Sequence, residues 1–122
     1  MIFSIIITTY NYEKYIIESI DSALNQDFLG EYEVIVVDDC STDNTQLILN
    51  SYDSIVRVNN EMNLGLEVSA NNGIKKAGGK YVVRLDADDY LEENFLSEMS
   101  KHIENEDTFY YGNYTSVSEN GL

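Results

Sequence analysis

The sequence predicts an α/β fold: an open, mainly parallel, Rossmann-like sheet with the strand order 3-2-1-4 and helices on both faces. Two observations favour it, namely short runs that are apolar on both faces, as in buried parallel strands, and helical periodicity between them. The four runs are Ile2–Thr8, Val34–Val37, Ile55–Val58 and Tyr81–Leu85. They begin about 20 to 30 residues apart, which is typical of strand–helix–strand units.

The first two predicted helices follow the first two strands. Asn11 is the expected N-cap of the first helix. Behind it, the apolar residues at helical spacing are Ile16, Ile17, Ile20, Ala23 and Leu24. Ser41 or Thr42 is the expected cap of the second helix, which turns Leu47 and Ile48 inward.

Two more helices and a last strand complete the prediction. The third helix runs from about Leu66 to Ala77 and ends at Gly78, because glycine is common just after a helix. Its inward residues are expected to be Val68, Ile74 and Ala77. The fourth helix follows Asp89, and the last strand covers Thr108–Asn113. The inward residues of the fourth helix are Phe95, Met99 and Ile103.

Composition restricts the class of protein. The 122 residues are 43% apolar, which predicts a single packed domain over residues 1–122. The formal net charge of −15 repels nucleic-acid phosphates, so a nucleic-acid partner is not expected. The single cysteine, Cys40, allows no internal disulfide, and no apolar run approaches the roughly 20 residues of a membrane span. We therefore expect a cytoplasmic location, which allows peripheral contact with the inner membrane face.

Carboxylates gather at the carboxyl ends of two predicted strands, the edge where such sheets bind ligands. Asp86 and Asp88 flank Ala87, and Asp89 follows directly. Alternate residues at a strand end point the same way, so Asp86 and Asp88 can converge. A divalent cation, Mg²⁺ or Mn²⁺, would offset their repulsion. An acidic turn that only caps the next helix is an equally weighted alternative.

Asp38 and Asp39 form a second acidic pair, directly after the strand Val34–Val37. One carboxylate there could accept hydrogen bonds from a base or a ribose, and a helix-capping role is the alternative. Tyr10 follows the first strand and is placed to stack on a base.

Glycine-rich phosphate loops are absent from the sequence. Neither G-x-G-x-x-G nor G-x-x-x-x-G-K-[ST] occurs, which argues against a Rossmann dehydrogenase and a P-loop NTPase. Phosphate charge would therefore be met by the metal, by backbone N–H groups near Gly65 and by Arg84.

Four strand-end segments together resemble the N-terminal, nucleotide-binding half of family 2 glycosyltransferases of the GT-A fold. They are FSIIITTYN (3–11), VIVVDDCSTDNT (34–45), NLGLEVSANNGI (63–74) and GGKYVVRLDADD (78–89). The resemblance implies a domain that binds a nucleotide-diphosphate sugar, a UDP-sugar, with Mn²⁺ or Mg²⁺. It also implies inverting transfer to an acceptor hydroxyl in polysaccharide or glycoconjugate synthesis, with a saccharide or lipid-linked acceptor.

The resemblance also assigns residues. The implied nucleotide-binding residues are Thr8, Tyr10, Asp38, Asp39 and Asp86. The first two would line the base pocket, Asp39 would hydrogen-bond the base, and Asp38 would support its loop. Asp88, with Asp86 beside it, is the implied metal ligand, and the metal would act as a Lewis acid for the leaving nucleoside diphosphate.

The sequence departs from the family pattern at three places. Ala70 stands where the family often has arginine, although Asn71 still matches. Cys40 replaces the usual glycine, which argues against a positive φ there unless the backbone is strained. The chain stops at Leu122, before the family's acceptor-binding half, so the base is expected beyond it. We therefore expect no sugar transfer by this chain alone.

An open apolar face at the last strand, with Phe109 and Tyr111, predicts some self-association.

Two other functions fit parts of the pattern. A non-catalytic nucleotide-sugar-binding module would need no acceptor half. A phospho-receiver domain would also place acidic residues such as Asp38, Asp39 and Asp86 at strand ends. However, it needs a lysine late in the chain at a strand end, and Lys101 lies in a predicted helix.

Overall fold

The computed structural model describes residues 1–103, 108–111 and 115–119, the last two ranges by their backbone alone. The helices are α1 (Ile16–Leu24), α2 (Thr45–Leu49), α3 (Leu66–Lys76) and α4 (Phe95–His102). The strands are β1 (Phe3–Thr9), β2 (Tyr32–Asp38), β3 (Val56–Asn59), β4 (Tyr81–Asp86), β5 (Thr108–Tyr111) and β6 (Thr115–Glu119). None of the described helices combines the length and apolar character that a membrane span requires.

The strands form one sheet in the order β3-β2-β1-β4-β6-β5. The strands β3, β2, β1 and β4 are mutually parallel, which confirms the predicted order 3-2-1-4. This order differs from the 2-1-3-4-5 order of phospho-receiver domains. The last two strands are antiparallel, with β6 paired to β4 and β5 paired to β6.

The end of the chain differs from the prediction in part. The predicted strand Thr108–Asn113 is present as β5, Thr108–Tyr111, but it lies at the outer edge beside β6, which the pattern did not predict. Residue 113 and the side chains of Phe109 and Tyr111 lie outside the described residues. Self-association through that face therefore stays a prediction.

The core has two layers because the side chains of a strand alternate between the two sheet faces. All seven residues of β1 are buried. Phe3, Ile5 and Ile7 belong to one apolar cluster with residues of α1, α2 and α4, whereas Ile6 packs in a second cluster beside α3. Helices cover both faces of β1, and this explains why its sequence is apolar at nearly every position.

The two predicted N-caps are wrong. The first helix begins at Ile16, with Tyr15 as its N-cap, so Asn11 lies well before it. The second begins at Thr45, whose N–H donates to Asp43 Oδ1 at 3.0 Å, so neither Ser41 nor Thr42 caps it. The Asn11 and Ser41 side chains instead make hydrogen bonds between loops or to a strand end.

Several inward residues also differ from the prediction. Ile17, Leu47 and Val68 are exposed by 47%, 68% and 44%. The later start of α2 turns Leu49 inward instead of Leu47, and Ile48 is only partly buried.

Helix α3 packs on the sheet through small side chains. Ser69, Ala70 and Gly73 are its buried residues, whereas the predicted Ile74 and Ala77 are only partly buried. A Cβ on Gly73 would lie 2.6 Å from Ile6 Cγ2, so the helix approaches β1 closely. In α4, Phe95 and Met99 are buried and Ile103 packs against the core, as predicted.

Gly79 marks a close approach of two backbones and provides a stability test. A Cβ there would lie 2.6 Å from the carbonyl carbon of Phe3 and 2.7 Å from the backbone nitrogen of Ser4. We expect Gly79→Ala to lower the free energy of unfolding by about 1–3 kcal/mol, since backbone atoms cannot rotate away as a side chain can. Urea unfolding measures this loss.

Gly78→Ala is the matched control. The nearest atom to a Cβ at Gly78 is Glu33 Oε2 at 3.6 Å, an ordinary contact. We expect a change within about 0.5 kcal/mol. Equal stabilities of the two variants would contradict the steric argument.

Candidate functional site

A cavity of about 350 Å³ opens at the carboxyl ends of β1, β2 and β4, beside the start of α3. Its lining residues are Thr8, Thr9, Tyr10, Tyr12, Asp39, Asn63, Gly65, Leu66, Ser69, Asp86, Ala87 and Asp88. The structure thus brings the predicted residues Thr8, Tyr10, Asp39, Asp86 and Asp88 to one cavity. Asp38 is not among the lining residues.

Asp39 is almost fully enclosed, with 5% of its surface exposed. Its Oδ1 accepts hydrogen bonds from the Leu64 N–H (2.7 Å) and the Asn60 side-chain amide (2.9 Å). Its Oδ2 accepts one from the Gly65 N–H at 2.9 Å. Burial alone would raise the pKa of this carboxyl, but these hydrogen bonds outweigh burial, and the pKa is lowered. Asp39 is therefore a carboxylate that accepts and does not donate.

Asp38 is fully buried and does not line the cavity. Its Oδ1 accepts hydrogen bonds from the Ser41 hydroxyl (2.5 Å) and the Ser41 N–H (3.3 Å). The backbone N–H of Asn60 donates to the Asp38 carbonyl at 2.9 Å. Asp38 is thus placed to hold the loop after β2 rather than to touch a ligand in the cavity.

The carboxylates of Asp86, Asp88 and Asp89 form an acidic cluster at the other side of the cavity. One oxygen from each lies within 4.8 Å of the other two. Burial and the neighbouring charge of Asp88 raise the pKa of both Asp86 and Asp89. Oxygen donors at this separation suit a hard divalent cation, so the acidic cluster fits the predicted metal.

The groups expected to meet phosphate charge are engaged within the protein. The N–H groups of Leu64 and Gly65 donate to Asp39. Arg84 forms an ion pair with Glu67 at 3.2 Å. The N–H groups of Leu64 and Gly65 therefore hold Asp39 in position. The positive charge of Arg84 is already paired with the carboxylate of Glu67.

Two residues without glycine's freedom adopt positive φ beside the cavity. Asn11 has φ 55°, and Cys40 has φ 64°. From the sequence, a positive φ at Cys40 was expected only with backbone strain. The structure has this positive φ, so the backbone at Cys40 is strained. Left-handed backbone is tolerated by asparagine but costs about 1–2 kcal/mol at most other residues.

Sequence reasoning missed Tyr12, Asn60 and Ser69. Tyr12 lines the cavity two residues after Tyr10, and Asn60 joins Asp39 to Ser69 through its side-chain amide. The available signal for Asn60 was its position just after β3, whose carboxyl end lies beside that of β2.

Comparison with protein families gives one match over almost the whole chain. The model described as "Glycosyl transferase family 2" matches residues 4–122. The chain is 39% identical over 115 residues to the poly(ribitol-phosphate) beta-N-acetylglucosaminyltransferase TarS of Staphylococcus aureus, covering 85% of this chain and 19% of TarS. It is 36% identical over 122 residues to the UDP-Glc:alpha-D-GlcNAc-diphosphoundecaprenol beta-1,3-glucosyltransferase WfgD of Escherichia coli, covering 98% of this chain and 48% of WfgD.

Solved structures agree with the sequence relatives. The crystal structure of S. aureus TarS 1-349 in complex with UDP-GlcNAc superposes with a TM-score of 0.80 at 39% identity, covering 88% of this chain and 32% of that one. The chain therefore spans less than half the length of these relatives.

Proposed function

This chain belongs to glycosyl transferase family 2, and we propose that it is the part of such an enzyme that binds a UDP-sugar with a divalent cation. One observation carries the proposal: a single cavity is lined both by the acceptor carboxylate of Asp39 and by Asp86 and Asp88 of the acidic cluster. These two features suit the two ends of a nucleoside diphosphate.

The base end is selective for a hydrogen-bond donor. A carboxylate offers about four lone-pair positions, and on Asp39 two on Oδ1 and one on Oδ2 accept from Leu64, Asn60 and Gly65, with the Ser69 side chain also hydrogen-bonding to the carboxylate. The N3–H of uracil would donate to Oδ2 in place of the Ser69 hydroxyl, which can instead turn toward another acceptor. Cytosine has a bare N3 acceptor in that place, which the carboxylate would repel. Tyr10 and Tyr12 offer aromatic faces for stacking.

The diphosphate end needs positive charge. The protein carries a formal net charge of −15, and the acidic cluster adds local repulsion to any phosphate. A divalent cation held by Asp88 and Asp86, with Asp89 beside them, would supply that charge and, when bound, Lewis-acid help to the leaving UDP. Asp86 and Asp88 would orient the diphosphate end, and Asp39 would hold the base.

The relatives support UDP as the nucleotide. The TarS complex contains UDP-GlcNAc, and the name of WfgD specifies UDP-Glc as donor. We extend this to inverting transfer by the whole protein, to a saccharide or lipid-linked acceptor in polysaccharide assembly. The match to a glycosyltransferase family over residues 4–122 disfavours the phospho-receiver alternative.

Calorimetry with UDP tests the proposal. We expect UDP to bind about 100-fold more tightly in Mn²⁺ than in EDTA, and Mn²⁺ to bind more tightly with UDP by the same factor, because linkage is reciprocal. CDP is the matched control ligand and should bind at least about 10-fold more weakly than UDP, since its N3 opposes Asp39. Equal UDP affinity in Mn²⁺ and EDTA would overturn the metal-assisted site.

A further inference from the structure

Two loops beside the cavity are joined by a set of hydrogen bonds that the proposed function does not use. The first loop follows β1 and contains Asn11 and Glu13, and the second follows β2 and contains Ser41 to Asp43. The Asn11 N–H donates to Ser41 Oγ at 3.0 Å, and the Glu13 N–H donates to Asp43 Oδ2 at 3.2 Å. In the other direction, Asn11 Oδ1 accepts from the Thr42 N–H (2.8 Å) and the Asp43 N–H (3.3 Å).

Asn11 occupies the centre of this arrangement. Its backbone has φ 55°, a left-handed conformation that asparagine tolerates better than most residues. In this conformation, the Asn11 N–H and the Asn11 side-chain oxygen both form hydrogen bonds with the second loop. Ser41 is itself held in place. Its hydroxyl oxygen accepts the hydrogen bond from the Asn11 N–H, and its hydroxyl group donates to the buried Asp38.

The two neighbours of this residue, Tyr10 and Tyr12, line the cavity. The two residues are 42% and 40% exposed, so core packing fixes little of their position. The Tyr12 ring contacts the Tyr15 ring, which is itself half exposed, at a centroid distance of 6.1 Å. The backbone on either side is held by other hydrogen bonds: the Thr9 carbonyl accepts from the Asp39 N–H at 2.9 Å, and the Tyr12 carbonyl accepts from the Tyr15 and Ile16 N–H groups at 3.0 Å each. Between these points, Asn11 supplies the contacts that join the tyrosine-bearing loop to the loop after β2.

We propose that Asn11 is a positioning residue, which holds Tyr10 and Tyr12 at the base end of the cavity by tying their loop to the loop after β2. The inference rests on the proposed nucleotide site and adds a residue that sets recognition of the base without touching the ligand. Asn11 should therefore affect only the binding of ligands that carry a base. A ligand with phosphates alone would meet the acidic cluster, which lies at the end of β4 and not on the loop that contains Asn11.

Two substitutions separate the side-chain hydrogen bonds from the backbone conformation. Asn11→Gly keeps access to positive φ but removes the acceptor for Thr42 and Asp43. Asn11→Asp keeps both the acceptor oxygen and tolerance of left-handed backbone. A loss in the glycine variant that the aspartate variant restores is therefore a loss of the hydrogen bonds.

The binding test compares UDP with inorganic pyrophosphate, both in Mn²⁺, by calorimetry. We expect Asn11→Gly to weaken UDP about 10-fold, which corresponds to ~1.4 kcal/mol, and to change pyrophosphate less than about 2-fold. Asn11→Asp should bind UDP within about 3-fold of the wild type. Unchanged UDP affinity in Asn11→Gly, or an equal loss for UDP and pyrophosphate, would overturn the positioning role.

A ligand-free measurement separates this inference from the proposed function. In ¹⁵N NMR without nucleotide, the amide signals of Tyr10 and Tyr12 should shift or broaden in Asn11→Gly and recover in Asn11→Asp, and the Thr42 amide should exchange faster with solvent. Signals that stay unchanged in Asn11→Gly would refute the positioning role. A wild-type protein that binds no UDP while these signals respond would refute the proposed nucleotide site alone.

Discussion

Replacing Asp88 by asparagine should lower the affinity for UDP in Mn²⁺ by about 100-fold or more, to the level seen in EDTA. Replacing a residue that hydrogen-bonds to a metal ligand lowers the metal affinity by about 10- to 100-fold. Replacing a ligand itself should therefore lower the metal affinity by at least as much. Asp88 is exposed in the cavity and contributes one of the three carboxylates of the acidic cluster. Calorimetry with UDP in Mn²⁺ and in EDTA measures the change.

Asp53→Asn is the control, since Asp53 is an exposed acid outside the cavity and its loss alters the net charge equally. It should leave the metal dependence intact. Asp88→Asn should also be at least as stable as the wild type, because it removes a charge that raises the pKa of Asp86 and Asp89. Tight, metal-dependent UDP binding by Asp88→Asn would contradict the metal site.

Asp39→Ala should lower the free energy of unfolding by about 3 kcal/mol or more at pH 7. It leaves the Leu64 N–H, the Gly65 N–H and one N–H of the Asn60 amide, whose other N–H donates to Ser69, without an acceptor, and each such partly buried donor costs about 1 kcal/mol. Urea unfolding measures the loss, with Asp53→Ala as an exposed control. A loss below about 1 kcal/mol would show that water replaces the carboxylate.

The sign of the pH dependence follows from the lowered pKa of Asp39. A carboxyl whose folded pKa lies below its ordinary value of 3.8 adds stability that is fully present above that value. The contribution is lost as the pH falls through the folded pKa. The stability difference between the wild type and Asp39→Ala should therefore be constant near neutrality and shrink below about pH 4.

Much of the fold was predictable because strand runs and helix periodicity are local properties of the chain. The presence of the four parallel strands and the position of α3 follow from them, as does the meeting of Tyr10, Asp39 and Asp86 at the edge where parallel strands end. The errors concern residues whose partners are distant in sequence. Asn11 and Ser41 both look like helix caps, and each instead uses its side chain in hydrogen bonds to another loop or to a strand end.

The function of Asp39 shows the same limit. Its position after β2 predicts contact with a ligand, and its side chain lines the cavity. However, the sequence gives no sign that Leu64 and Gly65, some 25 residues later, donate to it. Sequence pattern therefore locates a cavity well, while the internal partners of its side chains depend on how loops meet.

The acidic cluster has a consequence for attempts to engineer a more robust form of this protein. Burial and the charge of Asp88 raise the pKa values of Asp86 and Asp89, and this lowers the stability of the ion-free protein at neutral pH, so a screen for heat resistance would favour loss of these carboxylates. Such variants would gain thermal tolerance while losing the proposed site for the cation. Selection carried out in the presence of Mn²⁺ would reverse that bias, because an ion that binds only the native state shifts the folding equilibrium toward it.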